Sequence, residues 1–260
     1  MMKSCSWDKI WSSTNNDEDF WYWVRRENNG VRARKIISYI EKYLGDVREL
    51  KAIEIGSGAG VYSLILAKRG ACVTLLDYSK EAFLLAKRYF DCLGLRASFV
   101  FEDALNLKAQ LREEFDVAAS FGTVEHFAYP QRFLIAKVHL DLVKPGGIVI
   151  ISVPNRYFVP EEMLKWYFQK KGKWLLGYAK SFTKDELLQI GKKLGLENIE
   201  IRGSAFICDL FRYLGICLQT NIFKKIFRIS IKLGFIKDIR SPLDDFLGAD
   251  IFLMGIKPKY

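Results

Sequence analysis

A doubly wound α/β fold, a mostly parallel sheet with helices on both faces, is predicted by three observations on this 260-residue chain. Short apolar runs alternate with segments of helical period from residue 50 to residue 203. The first four of those runs end in glycine or polar residues, and the fifth is introduced by a Pro145-Gly146-Gly147 turn. Alternation of this kind gives parallel strands joined by helical crossovers, buried on both faces. Ligands of such sheets bind beyond the C-terminal ends of the strands.

The first 30 residues show no clean period. They hold a polar, acidic stretch at 12–19 and an aromatic cluster, Phe20-Trp21-Tyr22-Trp23, which with Trp7 and Trp11 reads as a packed lid. Residues 31–44 have helical spacing, with Ile36, Ile37, Tyr39, Ile40 and Leu44 on the apolar side. Residues 50–53 read as the first strand and run into Glu54-Ile55-Gly56-Ser57-Gly58-Ala59-Gly60. A helix over 61–69 follows and closes at Gly70, a C-terminal cap. The second strand, 71–76, ends at Asp77, and a helix spans 79–93. The third strand, 97–101, ends in Glu102-Asp103-Ala104 and leads to a short helix over 104–112. The fourth, 115–121, runs into Phe121-Gly122-Thr123-Val124-Glu125-His126. A helix over 129–143, the Pro-Gly-Gly turn and a strand over 148–153 complete the alternation. Beyond it come a first insertion at 155–180, a helix at 183–194, and strands at 198–203 and 249–256 separated by a second insertion, 205–247.

Composition bounds the rest. A half-hydrophobic chain of this length buries a substantial core and is expected to be one domain with elaborations. Its first residues have no apolar signal region, and no uncharged apolar run reaches the roughly 18 residues that span a bilayer. The five cysteines (5, 72, 92, 208, 217) are scattered without a C-x-x-C pair. They fit a cytoplasmic protein and neither a disulfide framework nor a metal site, so no metal is expected. Net charge is +10, with 18 Lys/Arg against 11 Asp/Glu in residues 161–260. Within the second insertion, 221–237 carries five Lys/Arg and no acid. On a helical wheel Lys224, Lys225, Arg228 and Lys232 lie opposite Ile222, Ile226, Ile229 and Leu233. That pattern reads as an amphipathic cover on the domain, with peripheral membrane contact as the sharper alternative and nucleic acid disfavoured.

Strand, glycine turn and helix bring backbone N–H groups against a ligand at the positive end of the helix. Asp77, 17 residues beyond Gly60, lies where a carboxylate accepts both hydroxyls of a ribose. A dinucleotide site wants its third glycine at position 61, which is Val61, and phosphates oppose the nearby Glu54. A carboxylate there suits an ammonium-bearing ligand such as a methionine-derived amino acid.

At these residues the chain resembles the class I S-adenosylmethionine-dependent methyltransferases. The resemblance spans roughly 50–155 and rests on Glu54 to Gly60, Asp77, Asp103-Ala104, Phe115 through His126, and Leu142 to Gly147 before a strand. Residues 181–188 and the strand 251–256 also look like the family's C-terminal half. The resemblance implies a Rossmann-like sheet of seven strands with an antiparallel last strand and helical cap insertions. It implies a division into an N-terminal helical cap (1–45), a cofactor-binding core (46–204 and 248–260) and a basic substrate cap (205–247). It implies that Glu54, Gly56, Ser57, Gly58 and Gly60 hold the methionine part, Asp77 the ribose hydroxyls, and Asp103 the adenine, with the Ala104 backbone and Tyr78 nearby. Phe121 and Gly122 would line the pocket beside the sulfur, with Glu125 on the cofactor or on His126. S-adenosyl-L-methionine would be the methyl donor and S-adenosyl-L-homocysteine the product.

His126 is the one well-placed base for an oxygen nucleophile, and the family's ubiquinone-type O-methyltransferases also carry a Glu-His pair there. His139 falls inside a helix and reads as structural. The expected activity is methylation of a small or amphiphilic acceptor, with oxygen the favoured atom. A membrane-associated lipid or isoprenoid methyltransferase is the first alternative. A nicotinamide-dependent oxidoreductase and a non-catalytic S-adenosylmethionine-binding protein are alternatives of other classes.

Overall fold

The computed structural model describes residues 4–13, 17–28, 30–107, 111–217 and 240–259. The basic segment 221–237 lies outside the described residues. Helices α1 (Ser4–Ser13), α2 (Asp17–Asn28) and α3 (Val31–Leu44) precede β1 (Lys51–Ile55) and α4 (Val61–Ala67). Next come β2 (Cys72–Asp77), α5 (Lys80–Cys92), β3 (Ser98–Phe101) and β4 (Phe115–Phe121). After α6 (Gln131–Leu142) and β5 (Val143–Pro154) follow α7 (Val159–Lys170), α8 (Lys184–Lys193) and β6 (Glu197–Gly203). The order closes with α9 (Phe206–Cys217), a short helix α10 (Asp244–Leu247) and β7 (Asp250–Ile256).

The seven strands form one sheet in the order β3-β2-β1-β4-β5-β7-β6. β1 to β5 pair in parallel, and β7 lies antiparallel between β5 and β6. The order reverses beside β1, so the C-terminal ends of β1, β2 and β4 frame the cleft. Successive residues of the central strands feed opposite cores. Ala52, Val117, Ile148 and Ile150 pack with Ile36 and Ile40 of α3, Leu64 and Ile65 of α4, and Phe90 of α5. Ile53, Ala118, Val149 and Ile151 pack with Ile135 and Ala136 of α6 and Leu187 and Ile190 of α8. Each such side chain, fully buried, contributes about 1.5–3 kcal/mol before entropy, which is why strands with both faces covered are apolar throughout.

Three expectations are corrected. The first 30 residues, read as aperiodic, form two helices, of which α2 buries Phe20 and Val24 one turn apart. The helix expected over 104–112 breaks after one 3-10 turn, Ala104–Asn106: the Asp103 carboxylate caps it, taking the Leu105 N–H at 3.0 Å and the Asn106 amide at 2.9 Å, but Leu107 is extended (φ −62°, ψ 142°), and residues 108–110 lie outside the described residues. The Pro145-Gly146-Gly147 turn lies inside β5 as a bulge, where the register passes from Phe115 on Val143 to Val117 on Ile148.

The N-terminal helices are fastened by charge. Glu27 of α2 pairs with Arg32 of α3 at 3.3 Å and accepts a hydrogen bond from the Tyr62 hydroxyl of α4. Arg32 also pairs with Asp250 of β7 at 2.8 Å, and Arg26 pairs with Asp209 of α9. Burial pushes the Glu27 carboxyl up, but Arg32, Arg26 and the Tyr62 hydroxyl outweigh it and bring it from 4.5 down to about 2. Between those values the unfolded chain binds more protons, so this group stabilises the fold above pH 4.5, and that contribution, about 3 kcal/mol, is lost as pH falls through about 2. Glu27→Gln is therefore expected to destabilise the protein by about 3–5 kcal/mol at pH 7, the usual cost of breaking a buried pair, and to flatten the acid loss between pH 5 and 2. Urea unfolding of both proteins across that range checks this; coincident stability curves would refute it.

Candidate active site

The turn after β1 is built on three left-handed glycines, Gly56, Gly58 and Gly60, with φ of +63°, +52° and +72°. A side chain at Gly60 would be strained by that φ and would meet Leu75 Cδ2 at 2.4 Å. The N–H groups expected to face a ligand are largely used by the chain itself. Gly56 and Ser57 donate to the Leu76 carbonyl at 2.8 and 3.1 Å, Gly60 to the Ser57 carbonyl at 2.8 Å, and Gly58 to Asp77 Oδ2 at 2.8 Å.

What the cleft offers instead is acceptors. Glu54, in mid-sheet between Leu75 and Ala119, is buried, and its Oε2 accepts from the Ser63 N–H at 2.7 Å and the Ser63 hydroxyl at 2.5 Å. Burial first, and the Asp77 charge after it, push its carboxyl to about 7 against the two Ser63 bonds. Asp77 ends β2 and braces the turn on one side and the start of α5 on the other, where Ser79 N–H donates to Oδ1 at 2.8 Å. It is raised by burial, which the N–H bonds from Ser79 and Gly58 oppose. Tyr78 feels Asp77, Asp103 and Asp8 together; burial and those charges lift its hydroxyl to about 12. Asp103 caps the 3-10 turn at Ala104, at the end of β3. These bonds and charges bring Glu54, Gly58, Asp77, Tyr78 and Asp103 together at the ends of β1, β2 and β3. The carboxylates there suit a ligand rich in N–H, O–H and positive charge and oppose a pyrophosphate.

At the end of β4, Phe121 stacks on Tyr62 with ring centroids 3.6 Å apart, and Gly122 adopts φ +78°. Gly122 lies close against Glu125, whose Oε1 would be 3.4 Å from a Cβ built on it. Glu125 is 4% exposed, and its Oε2 has no hydrogen-bond partner among the described residues. Burial, with Asp250 and Glu161 adding charge repulsion, raises its carboxyl to about 8. His126 Nε2 lies 3.8 Å from Glu125 Oε1, beyond hydrogen-bond reach. His126 Nδ1 is 2.9 Å from the Tyr178 carbonyl, an acceptor only, so Nδ1 carries the proton and Nε2 the lone pair of the neutral ring. Burial lowers its pKa below 6.5, against the pull of the Tyr178 carbonyl. His139 is fully buried in α6 and bonded to the Ile135 carbonyl, away from the cleft.

Sequence reasoning missed Ser63, Ser79 and Asp8. Helix α1 lies over the cleft: Asp8 Oδ1 accepts from the Ser79 hydroxyl at 2.6 Å, and the Trp7 ring meets His126 edge-on at 4.8 Å. Trp11 lies against Gly58, so that a Cβ there would fall 2.3 Å from its ring. The 7–11 spacing of the two tryptophans was the available signal for a helix facing a surface.

Residues 24–201 match a family model described as a methyltransferase domain. The chain is 31% identical over 184 residues to a ubiquinone biosynthesis O-methyltransferase of Ruegeria pomeroyi, covering 66% of this chain and 71% of that protein. Its fold is similar to that of phosphoethanolamine N-methyltransferase 2 of Haemonchus contortus, solved in complex with S-adenosyl-L-methionine. The TM-score is 0.58 at 18% identity, over 86% of this chain and 52% of that one. It is also similar to the magnesium protoporphyrin IX methyltransferase of Synechocystis PCC 6803 with bound SAH, with TM-score 0.56 and 14% identity over 86% and 81% of the two chains. At those identities the likeness is one of fold. The oxidoreductase alternative falls with these matches, and a turn whose N–H groups are already taken agrees.

The folded Glu54 carboxyl keeps its proton up to about pH 7, the unfolded one to 4.5. Its contribution to stability is therefore present below pH 4.5 and lost as pH rises through 7, about 3 kcal/mol in all. Glu54→Gln keeps an oxygen for Ser63 and removes the charge. We expect the ligand-free variant to melt higher than wild type at pH 8 and to lose that advantage at pH 4.5. Thermal melts at the two pH values check it; a variant melting lower at pH 8 would refute the burden assigned to Glu54.

Proposed function

The chain belongs to the class I S-adenosylmethionine-dependent methyltransferases, enzymes that use S-adenosyl-L-methionine as methyl donor, and from that premise we propose that it methylates an oxygen of a small or amphiphilic acceptor. The observation that carries this reading is His126, fixed through Nδ1 on the Tyr178 carbonyl beside the end of β4. The donor supplies an electrophilic methyl group on a sulfonium. Displacement at that carbon needs an aligned nucleophile, and holding reactants in line is worth up to about 7–11 kcal/mol. A hydroxyl acceptor must also lose its proton, and His126 Nε2 is the base placed to take it.

In this reading Glu54 and the 56–60 turn hold the methionine part, with the Glu54 carboxylate facing its ammonium group. Asp77 takes the ribose hydroxyls through the lone pairs its backbone N–H bonds leave, and Tyr78 stands near the adenine. Asp103 and the Ala104 backbone take the adenine edge, while Phe121 and Gly122 flank the sulfur. Glu125 lies between sulfur and His126. The divisions at 1–45 and 205–247 become the covers of the donor and acceptor sides.

An amphiphilic acceptor is supported by α7 and the segment after it. Val159, Met163, Trp166 and Leu175 are 60–73% exposed, next to the exposed Lys170, Lys171 and Lys173. Apolar and basic residues mixed in this way suit contact with a lipid surface. Among the described residues no helix is long and apolar enough to cross a membrane, so such contact would be peripheral. The named relative, a ubiquinone biosynthesis O-methyltransferase, points the same way.

Incubation with methyl-labelled donor and cell extract, fractionated into lipid, small-molecule, protein and nucleic-acid pools, tests the acceptor class. Label is expected in the lipid or small-molecule pool; label confined to protein or nucleic acid would overturn the reading. Asp77→Ala is expected to weaken donor binding by about tenfold or more, the loss of about 1.4 kcal/mol, and calorimetry within twofold of wild type would remove the ribose assignment. His126→Ala should lower kcat about 10²–10⁴-fold, the usual worth of a general base, with donor affinity unchanged. The acid limb of wild-type kcat should fall below pH 6.5, where burial puts His126.

A further inference from the structure

Arg132 is the second residue of α6 and is 3% exposed. Burial disfavours a cation, and so does the positive end of a helix. Among the described residues its partners are a carbonyl, a hydroxyl and three rings, with no carboxylate. Nε–H donates to the Phe127 carbonyl at 2.9 Å and an Nη2–H to the Tyr178 hydroxyl at 3.0 Å. The guanidinium lies over Tyr129, Tyr178 and Phe182, 4.8–5.9 Å from their ring centres. A charge held at such cost, with its fork spread between two loops, acts as a clamp.

One of those loops contains His126. The other is the strap over it. Tyr178 is held at both ends, its hydroxyl by Arg132 and its carbonyl by the His126 Nδ1–H. Two residues on, Lys180 N–H donates to the Glu125 carbonyl at 3.1 Å, and Phe182 N–H donates to the Pro154 carbonyl at 2.9 Å. The phenol of Tyr178 is half exposed, so burial does little to hold it; beyond the two backbone bonds further along the strap, the hydrogen bond to Arg132 is what fixes Tyr178 itself.

We propose that Arg132, acting through Tyr178, is a positioning residue that fixes the Nδ1–H tautomer of His126 and thereby keeps the Nε2 lone pair directed at the acceptor. The proposal rests on the assignment of His126 as base. Around the ring lie Glu125 on its own loop, Lys165 of α7, the Trp7 edge of α1 and, on the strap itself, the Leu176 carbonyl. No described residue other than those of the strap bonds Nδ1. If the strap loosens, the ring is free to exchange its proton between nitrogens and to turn, and the base loses its orientation.

Ring-nitrogen NMR of the full chain labelled with ¹⁵N-histidine reads the tautomer directly. The chain has two histidines, so two ring systems are expected, and the one missing from His126→Ala is assigned to His126. Wild type should show His126 as the Nδ1–H tautomer at neutral pH. Tyr178→Phe removes only the hydroxyl, and Arg132→Lys keeps the charge without the fork. Both should show a mixture of tautomers. Both should also lower kcat about tenfold, as removing the partner that orients a reacting group does elsewhere, with KM for S-adenosylmethionine unchanged. Tyr129→Phe, which keeps the stacked ring, should match wild type in both readouts. A pure Nδ1–H tautomer in both strap variants overturns the proposal. Mixed tautomers in them, with undiminished turnover in His126→Ala, would instead support the tether and remove the base assignment.

Discussion

The end of β2 holds the turn that follows β1, and the cleft depends on that contact. Ile55 pairs with Leu76, so the two strands end level. The Leu76 carbonyl then takes two N–H groups of the turn, and Asp77 takes a third. From the other side Thr123, just past β4, donates its hydroxyl to the Ile55 carbonyl at 3.1 Å and packs against Gly56, where a Cβ would fall 2.6 Å from it. The turn is clamped between its two neighbours before any ligand arrives. Its shape is a property of the sheet, and the glycines are there because the clamp leaves no room and requires positive φ.

The clamp has an electrostatic consequence. Bonding most of the turn's N–H groups internally leaves the site with carboxylates that, among the described residues, no arginine or lysine pairs directly; Lys165 only partly offsets the burial of Glu125. Glu54 and Glu125 are buried and pushed to about 7 and 8, while Glu27, equally buried but set between arginines, is drawn to about 2. The difference is the counter-charge, since burial acts the same way on all three. The free protein carries the cost of the unpaired acids, and a ligand bringing positive charge relieves it. S-adenosylmethionine brings an ammonium and a sulfonium. Sites strained in this way exchange stability for binding.

Most of this frame is readable in sequence because buried parallel strands are continuous apolar runs and their ends are marked by glycine or acid. Seven strands, the glycine turn, Asp77 and Asp103 stand close to their expected places. What was not readable has definite causes. In α2 the buried face mixes Phe20 and Val24 with Glu27, whose burial needs Arg32 and Tyr62, so the period is broken by charges that only the fold pairs. The helix expected after β3 stops at Leu107, whose backbone turns extended after one capped turn. Partners separated by long stretches, such as His126 and Tyr178, leave no trace in a single sequence.

The two halves of the chain therefore divide the chemistry. In the proposed reading the donor side is built from strand ends and fixed by sheet register, and the acceptor side from the segment after β5, a strap and the exposed helix α7. Both are touched by α1, through Trp11 at Gly58, Asp8 at Ser79 and Trp7 at His126. A helix that contacts the donor turn and the base at once cannot shift for one without disturbing the other. In the proposed reading, exchange of donor and product beneath Trp11 would reach the surroundings of His126 through this one packed helix.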